Sequence, residues 1–371
     1  MSERVLITGG AGFIGSHLAD ELLAAGYRVR VLDNLDPQVH GADAERPAYL
    51  ADEVELQRGD VRDAEAVRRA LAGCDGVFHF AAAVGVGQSM YEIAHYTGVN
   101  NLGTAVLLEA LAKAPVGRLI VASSMSVYGE GRYLGPTDEV HDAVRRRRED
   151  LQAGRFEPGE AEAVLRPVPT PETKHPDLGS VYALSKYDQE RLGLMIGEAY
   201  DIPTSAMRFF NVYGTRQALS NPYTGVLAIF ASRLLNDNPP LVFEDGRQRR
   251  DFVSVRDVAR ACRAAYERPA TAGEVFNVGS GQSYGIGQIA AAVATAVGKP
   301  QIEAEVTGRY RVGDIRHCFA DIDKARRLLD YSPQVGLEQG LAELADWLAT
   351  QRAEDRVETA REELAARGLT L

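Results

Sequence analysis

The run Val5-Leu-Ile-Thr8, followed by Gly9-Gly-Ala-Gly-Phe-Ile-Gly15 and then Ser16-His-Leu-Ala-Asp-Glu-Leu-Leu23, constrains the fold more than any other stretch. It predicts a strand, a glycine turn and a helix in that order, the arrangement that opens a dinucleotide-binding βαβ unit. The glycines have separate reasons. The chain must turn tightly at Gly9 or Gly10, a diphosphate must approach the backbone at Gly12, and the helix must sit close to the strand at Gly15. The helix N-terminus then presents oriented N–H groups to that diphosphate. A second expected strand, Arg28–Leu32, leads into Asp33, 18 residues after Gly15. A carboxylate there accepts hydrogen bonds from ribose hydroxyls and repels a 2′-phosphate, so the expected cofactor is NAD rather than NADP.

The same alternation continues. Short β-branched runs at Arg4–Thr8, Arg28–Leu32, Val54–Arg58, Gly76–Phe80, Arg118–Ser123 and Thr204–Phe209 are each followed by a turn or by apolar residues at helical spacing. This predicts an α/β fold, a Rossmann doubly wound parallel sheet covered by helices, with a smaller mixed α/β substrate domain. The expected limits are 1–205 for the cofactor domain, with a surface insert at about 131–179, then 206–345 for the substrate domain, partly interleaved with the first, and 346–371 for a helical tail. In the second half a helix is expected near Val226–Asn236, a strand at Leu241–Phe243 and a helix near Val255–Tyr266. The insert contains Arg145 to Arg148 in a row, and a charge run of this kind reads as a solvated helix face. In the tail, Leu341, Leu344, Leu348, Val357, Ala360 and Leu364 mark one or two amphipathic helices that Gly368 would stop.

Charge narrows the partners. With 41 basic and 52 acidic residues the formal net charge is −11, which opposes a broad grip on nucleic acid or an anionic membrane. An anionic ligand must therefore be held locally. Only five of the basic residues are lysine, at 113, 174, 186, 299 and 324, so arginine is the usual cation. Cys74, Cys262 and Cys318 are odd in number and far apart, which fits a reducing compartment and neither a disulfide framework nor a metal site. No run of about 18 apolar residues or basic leader is present, and a cytoplasmic location is expected. His79 has no second histidine at metal spacing and is expected to be structural.

A catalytic set can be placed on this frame. Tyr182 and Lys186, four apart in Ser180-Val-Tyr-Ala-Leu-Ser-Lys186, share one helix face. A phenol with a pKa near 10 is a poor base at neutral pH, and an adjacent ammonium favours the phenolate. Ser124, in Val121-Ala-Ser-Ser-Met-Ser-Val-Tyr128, stands at the carboxyl end of the fifth strand, where ligands of open α/β sheets bind. It would orient the reacting substrate oxygen, with Ser123 and Ser126 as nearby competitors.

The Thr8–Gly15 signature, with these residues, resembles the extended short-chain dehydrogenase/reductase family, whose members mostly act on nucleotide-diphosphate sugars. The resemblance selects Ser124, four residues before Tyr128. It implies cofactor contacts at Asp60, Val61, Phe80, Ala81, Ala82, Asn100 and Phe210; Phe13, Ile14, Asn34, Tyr182 and Lys186 complete the expected set. Met207-Arg-Phe-Phe-Asn-Val-Tyr-Gly214 matches a family strand that brings Asn211 to the substrate. Arg250, in Arg249-Arg-Asp-Phe-Val253, and Arg311, in Arg311-Val-Gly-Asp314, match two arginines that clamp the diphosphate. Asp314 would reach a substrate hydroxyl, and Val86, Ser126, Val226, Val242 and Phe243 are the other expected substrate contacts. A homodimer through helices near 101–113 and 182–200 is also implied.

Family dehydratases follow the catalytic Ser or Thr with Asp-Glu, and decarboxylases place Glu there. This chain has Met125 and Ser126. What remains is 4-epimerisation, which needs only Ser124, Tyr182, Lys186 and NAD. Segments 216–225, 228–233 and 243–252, with the long insert, resemble the dTDP-rhamnose 4-epimerase-like group and imply a dTDP-6-deoxyhexose substrate. A UDP-hexose or UDP-uronic acid epimerase, a keto-sugar reductase and a non-catalytic nucleotide sensor are the alternatives. Members of that group often carry paired cysteines in the insert; this chain has none between Cys74 and Cys262, so no metal knuckle is expected.

Overall fold

A computed structural model describes residues 2–41, 45–160, 163–219, 221, 225–311, 313–351 and 357–370. Seven strands form one parallel sheet: β1 (Arg4–Thr8), β2 (Arg28–Asp33), β3 (Glu55–Arg58), β4 (Gly76–His79), β5 (Arg118–Ser124), β6 (Thr204–Phe209) and β7 (Val275–Val278). Their order is β7-β6-β5-β4-β1-β2-β3, so the winding direction reverses between β1 and β4. Thr8 is in register with both Leu32 and His79, and Phe209 with Ser124, which lines the carboxyl ends along one edge of the sheet. A ligand crevice forms at such a reversal.

Side-chain alternation explains the two covered faces. Val5, Ile7, Phe78 and Ile120 pack with Leu18, Ala19 and Leu22 of α1 (Phe13–Ala24) and with Val258, Ala261 and Ala265 further along the chain. Their neighbours Leu6, Val77, Leu119 and Val121 face the other way, against α2 (Ala64–Leu71) and α3 (Gly103–Lys113). Each aliphatic side chain removed from water contributes about 1.5–3 kcal/mol, which is why the strands read as apolar runs. Next comes α4 (Val181–Ala199), which lies along β5 and carries the Tyr182–Lys186 pair.

A separate apolar cluster joins α5 (Val226–Leu235), α7 (Ile286–Ala296) and α8 (Leu337–Leu348), while α6 (Val255–Glu267) returns to the sheet beside α1. Small sheets complete this second half: Asn211–Tyr213 runs parallel to Phe252–Ser254, and Arg249–Arg250 pairs with Tyr284–Gly285 and His317–Cys318. The strand expected to reach Phe243 stops at Val242. β6 and α8 run through the expected domain limits at 205/206 and 345/346. The tail forms two helices, α8 and α9 (Val357–Ala366), and Gly368 takes the positive φ expected of a stop. The side chain of Ala360, like Pro222 to Thr224 of the 216–225 segment, lies outside the described residues.

The insert is a three-stranded antiparallel sheet, with Arg132–Leu134 between Val140–His141 and Arg166–Val168. The arginine run is not a solvated helix face. Arg145 to Arg147 precede the short helix Arg148–Gln152, and Arg146 turns inward to Glu130 (3.0 Å) and Glu244 (2.6 Å). Two buried carboxylates need a counter-charge, and that requirement outweighs the preference of an arginine for water.

Candidate active site

The glycine loop divides its duties as its geometry demands. Gly9 has φ +69°, and a Cβ there would stand 2.8 Å from the Ala81 backbone; at Gly15 a Cβ would stand 2.5 Å from Gly9 O. At Gly12 it would meet only Gly9 O, at 3.4 Å. The space in front of Gly12 is therefore not used by the protein, and it opens at the N-terminus of α1, where N–H groups have no helical partner. A dinucleotide diphosphate fits this cradle. Asp33 lines the same space, and its carboxylate accepts from Ala11 N (3.0 Å) and Leu35 N (2.9 Å), so it shapes the loop.

One continuous cavity of about 410 Å³ runs from Gly9, Gly12, Phe13, Ile14, Gly15, Asp33, Asn34, Asp60 and Val61, past Phe80, Ala81 and Ala82, to Ser124, Tyr182 and Lys186, and on to Phe210, Asn211 and Val226. All of these were expected from the sequence. Asn100 stands behind the wall: it is fully buried, accepts from Ala83 N (2.8 Å) and donates to Ser185 Oγ (2.8 Å), tying the loop after β4 to α4. His79 is buried between Thr8 (2.8 Å) and Thr104 (2.8 Å), as a structural histidine should be.

Hydrogen bonding distinguishes the three serines. Ser123 is committed to Glu190 (2.7 Å), and Ser126 donates to Ser124 Oγ from both its N–H (3.2 Å) and its hydroxyl (3.0 Å). Ser124 therefore accepts twice from behind and keeps its own proton for the cavity. Burial raises the Tyr182 phenol above its ordinary pKa, and a hydrogen bond with Ser124 opposes this. Burial also pushes the Lys186 ammonium down to about 7, against the Glu190 carboxylate. The three groups form an acid/base set whose ionisation a bound ligand can tune.

The expected diphosphate clamp is arranged differently. Arg250 and Arg311 do not line the cavity. The Arg250 guanidinium donates to the carbonyls of Arg249 (2.9 Å), Arg316 (3.0 Å) and Ile315, while Arg311 pairs with Asp314 (3.1 Å) and lies over the Phe243 ring at 4.5 Å. Val86, Ser126, Val242, Phe243 and Asp314 are likewise off the cavity wall, Val242 because it is fully buried in the second core. Sequence reasoning missed Gln38, Gln88, His95, Gln217 and Asn221, all of which line the cavity. Gln38 reaches Gln88 (3.2 Å) and Asn221 (3.2 Å) across it. Amides in loops carry no motif. Among the described residues, the buried acceptors Asn211 Oδ1 and Gln217 Oε1 have no partner, although both residues line the cavity. A ligand rich in hydroxyl donors would satisfy them.

The chain is similar to known proteins along most of its length. The model of the NAD dependent epimerase/dehydratase family matches residues 5–149 and 159–279. The chain is 38% identical to the dTDP-L-rhamnose 4-epimerase of Burkholderia thailandensis, over 94% of this chain and 96% of that one. Among solved structures it is similar to the UDP-glucose 4-epimerase of Thermotoga maritima with UDP-glucose (31% identity, TM-score 0.76, 93% and 98% covered). It is also similar to that of Thermus thermophilus in complex with NAD (31%, TM-score 0.74, 94% and 100% covered). The glycine cradle, the Ser124–Tyr182–Lys186 set and these similarities converge: the chain belongs to the NAD-dependent epimerase/dehydratase family of extended short-chain dehydrogenases/reductases, and NAD is its cofactor.

Proposed function

We propose that the protein is a nucleotide-diphosphate-sugar 4-epimerase whose substrate is a dTDP-6-deoxyhexose such as dTDP-rhamnose. The observation that carries the reaction class is the make-up of the site: Ser124, Tyr182 and Lys186 share the cavity, and the positions after Ser124 hold Met125 and Ser126 where elimination or decarboxylation would need a carboxyl group. Bound NAD supplies a hydride acceptor and donor, so C4 can become a ketone and be reduced on its other face with no net redox change. The Gly9–Gly15 loop, Asp33 and Asp60 would hold its diphosphate and adenosine. Tyr182 takes the proton of the C4 hydroxyl and returns it; Ser124 donates to the same oxygen and fixes its direction. Lys186 favours the phenolate through its charge.

Arg250, Arg311 and Asp314, with Phe243, form the outer diphosphate site in this reading. Arg311 exchanges Asp314 for phosphate oxygens when substrate binds, since its guanidinium can satisfy either bidentately. Asn211 and Val226 face the sugar nucleotide, Val242 lies in the core cluster against which Val226 packs, Ser126 holds Ser124 from behind, and Val86 is exposed. The dTDP-sugar preference is supported by the similarity to the Burkholderia thailandensis enzyme.

Incubation with a panel of UDP-, dTDP- and GDP-sugars, followed by NMR at C4, tests both halves of the proposal. Inversion at C4 of a dTDP-6-deoxyhexose without a change in mass is expected. Stoichiometric NADH consumption would instead mark a keto-sugar reductase. Tyr182→Phe should lower turnover by about 10²- to 10⁴-fold, and near-normal activity would remove the mechanism.

The protein is further read as a cytoplasmic homodimer. Free Cys74, Cys262 and Cys318 support the reducing compartment. Leu102 (55% exposed), Leu184 (46%) and Met195 (48%) support an interface on α4 and the turn leading into α3. No helix among the described residues is long and apolar enough to cross a membrane.

A further inference from the structure

We propose that Gln189 is a positioning residue of the reaction: its neutral amide fixes Lys186 Nζ without cancelling its charge, so that the ammonium acts in full on the Tyr182 phenol. The inference rests on the epimerase reading for the role of Tyr182, although its measurement needs no turnover.

The geometry is a directed chain of donors. Lys186 is 3% exposed, and among the described residues the one acceptor within hydrogen-bond reach of its Nζ is Gln189 Oε1, at 2.7 Å. Gln189 is fully buried, and its Nε2 donates to Thr104 Oγ1 (2.9 Å), whose own proton goes to Asn100 O (2.6 Å). His79 Nε2 lies 2.8 Å from Thr104 Oγ1, a separation that needs a proton between the two atoms. The same His79 Nε2 lies 3.2 Å from Gln189 Nε2, and its Nδ1 lies 2.8 Å from Thr8 Oγ1, so the imidazole packs directly behind the amide. Burial and then the Lys186 charge push the His79 pKa down to about 3, which keeps it neutral.

Turning the Gln189 amide over would face its NH2 to the Lys186 ammonium, donor against donor, so the oxygen stays on the lysine. While it is protonated, an ammonium held by a neutral acceptor keeps two protons for the cavity side, with no negative charge bonded to it. A carboxylate at the same place would neutralise it. The carboxylate that acts on Lys186, Glu190 on α4, is bound instead to Arg208 on β6 (2.6 Å) and to Ser123 (2.7 Å), and its charge offsets only part of the burial that pushes the ammonium down. The other titratable groups around the pair are His79 on β4, which is neutral, and Tyr96, whose ring lies 6.5 Å from that of Tyr182 and whose phenol burial pushes upward. Lys186, one turn along α4 from Tyr182 and on the same cavity, is the charge we assign to the phenol.

Gln189→Glu keeps the shape and adds the charge; Gln189→Met keeps the length and removes the acceptor. The Tyr182 ionisation is read in the NAD-loaded enzyme as the near-ultraviolet tyrosinate titration minus that of the same protein carrying Tyr182→Phe. Both substitutions are expected to move it upward, Gln189→Glu by about one pH unit, and to lower kcat at neutral pH about tenfold by displacing its acid limb. In a Lys186→Met background neither should move it further. Unmoved titration in both variants overturns the proposal. So does an equal displacement without Lys186, and so does a fall in kcat that is the same at every pH. A protein that epimerises no sugar in the panel but shows the Lys186-dependent displacement would refute the substrate reading and leave this one standing.

Discussion

A methyl group is tolerated at one glycine of the loop and excluded at another three residues away, and this difference separates binding from folding. At Gly12 it would touch only Gly9 O at 3.4 Å, in the space kept for the cofactor diphosphate. At Gly9 it would be forced into φ +69° and against the Ala81 backbone at 2.8 Å. Gly12→Ala should therefore melt within about 2 °C of the parent while retaining at least about tenfold less NAD through purification. Gly9→Ala should lose about 1–2 kcal/mol from backbone strain alone, and more from the collision. Melting curves and the NAD released by heat check both, and equal losses of stability in the two variants would contradict the division. These roles were legible in sequence because glycine itself states the backbone requirement. The roles of Gln88, Asn221 and Gln189 were not, since an amide becomes meaningful only once the fold supplies its neighbours. Arg250 and Arg311 show the converse: their motifs were visible, but their resting partners are backbone carbonyls in one case and Asp314 in the other.

Among the elements, six of the seven sheet strands were legible almost to the residue, five of them because burial on both faces imposes apolar runs and the part-exposed edge strand β3 by its place in the alternation; β7 was not read from the sequence. The insert was not, because strands of two or three residues carry no periodicity. Its anchoring is electrostatic. Arg316 is fully buried and donates to Glu244 (2.8 Å), Asp245 (2.6 Å) and Glu157 (3.0 Å), and Glu157 also meets His317 (2.9 Å). Arg146 was misread for the same reason: its partner Glu244 lies far along the chain. Burial alone would raise the Glu157 pKa, but hydrogen bonds from His317 and Arg316 hold it down at about 2, against an ordinary 4.5. A depressed carboxylate stabilises the fold fully above its unfolded value and loses that contribution as pH falls through the folded one. The stability advantage of the parent over Glu157→Gln should hold at pH 6, shrink between about 4.5 and 2, and vanish below. Thermal melts across that range measure it, and an advantage independent of pH would rule out the charge cluster as the anchor.

For the whole molecule, the net charge of −11 and the paired arginines are two views of one arrangement: many of the cations are already engaged by the protein's own carboxylates. In the proposed dimer, burying Leu184 and Met195 would remove two large apolar side chains from water. Replacing both by Asp should then yield monomers by sedimentation with the NAD site intact; a parent that sediments as a monomer at micromolar concentration would exclude the dimer. The course of the chain through the sheet has a consequence for dissection. β7 comes from the second half of the sequence yet pairs along Ala206–Phe209 of β6. A fragment that kept the cofactor loop but stopped before residue 275 would end its sheet on a row of open backbone donors and acceptors, a template for other chains to add strands. The catalytic half is thus protected from aggregation by four residues that the other half contributes.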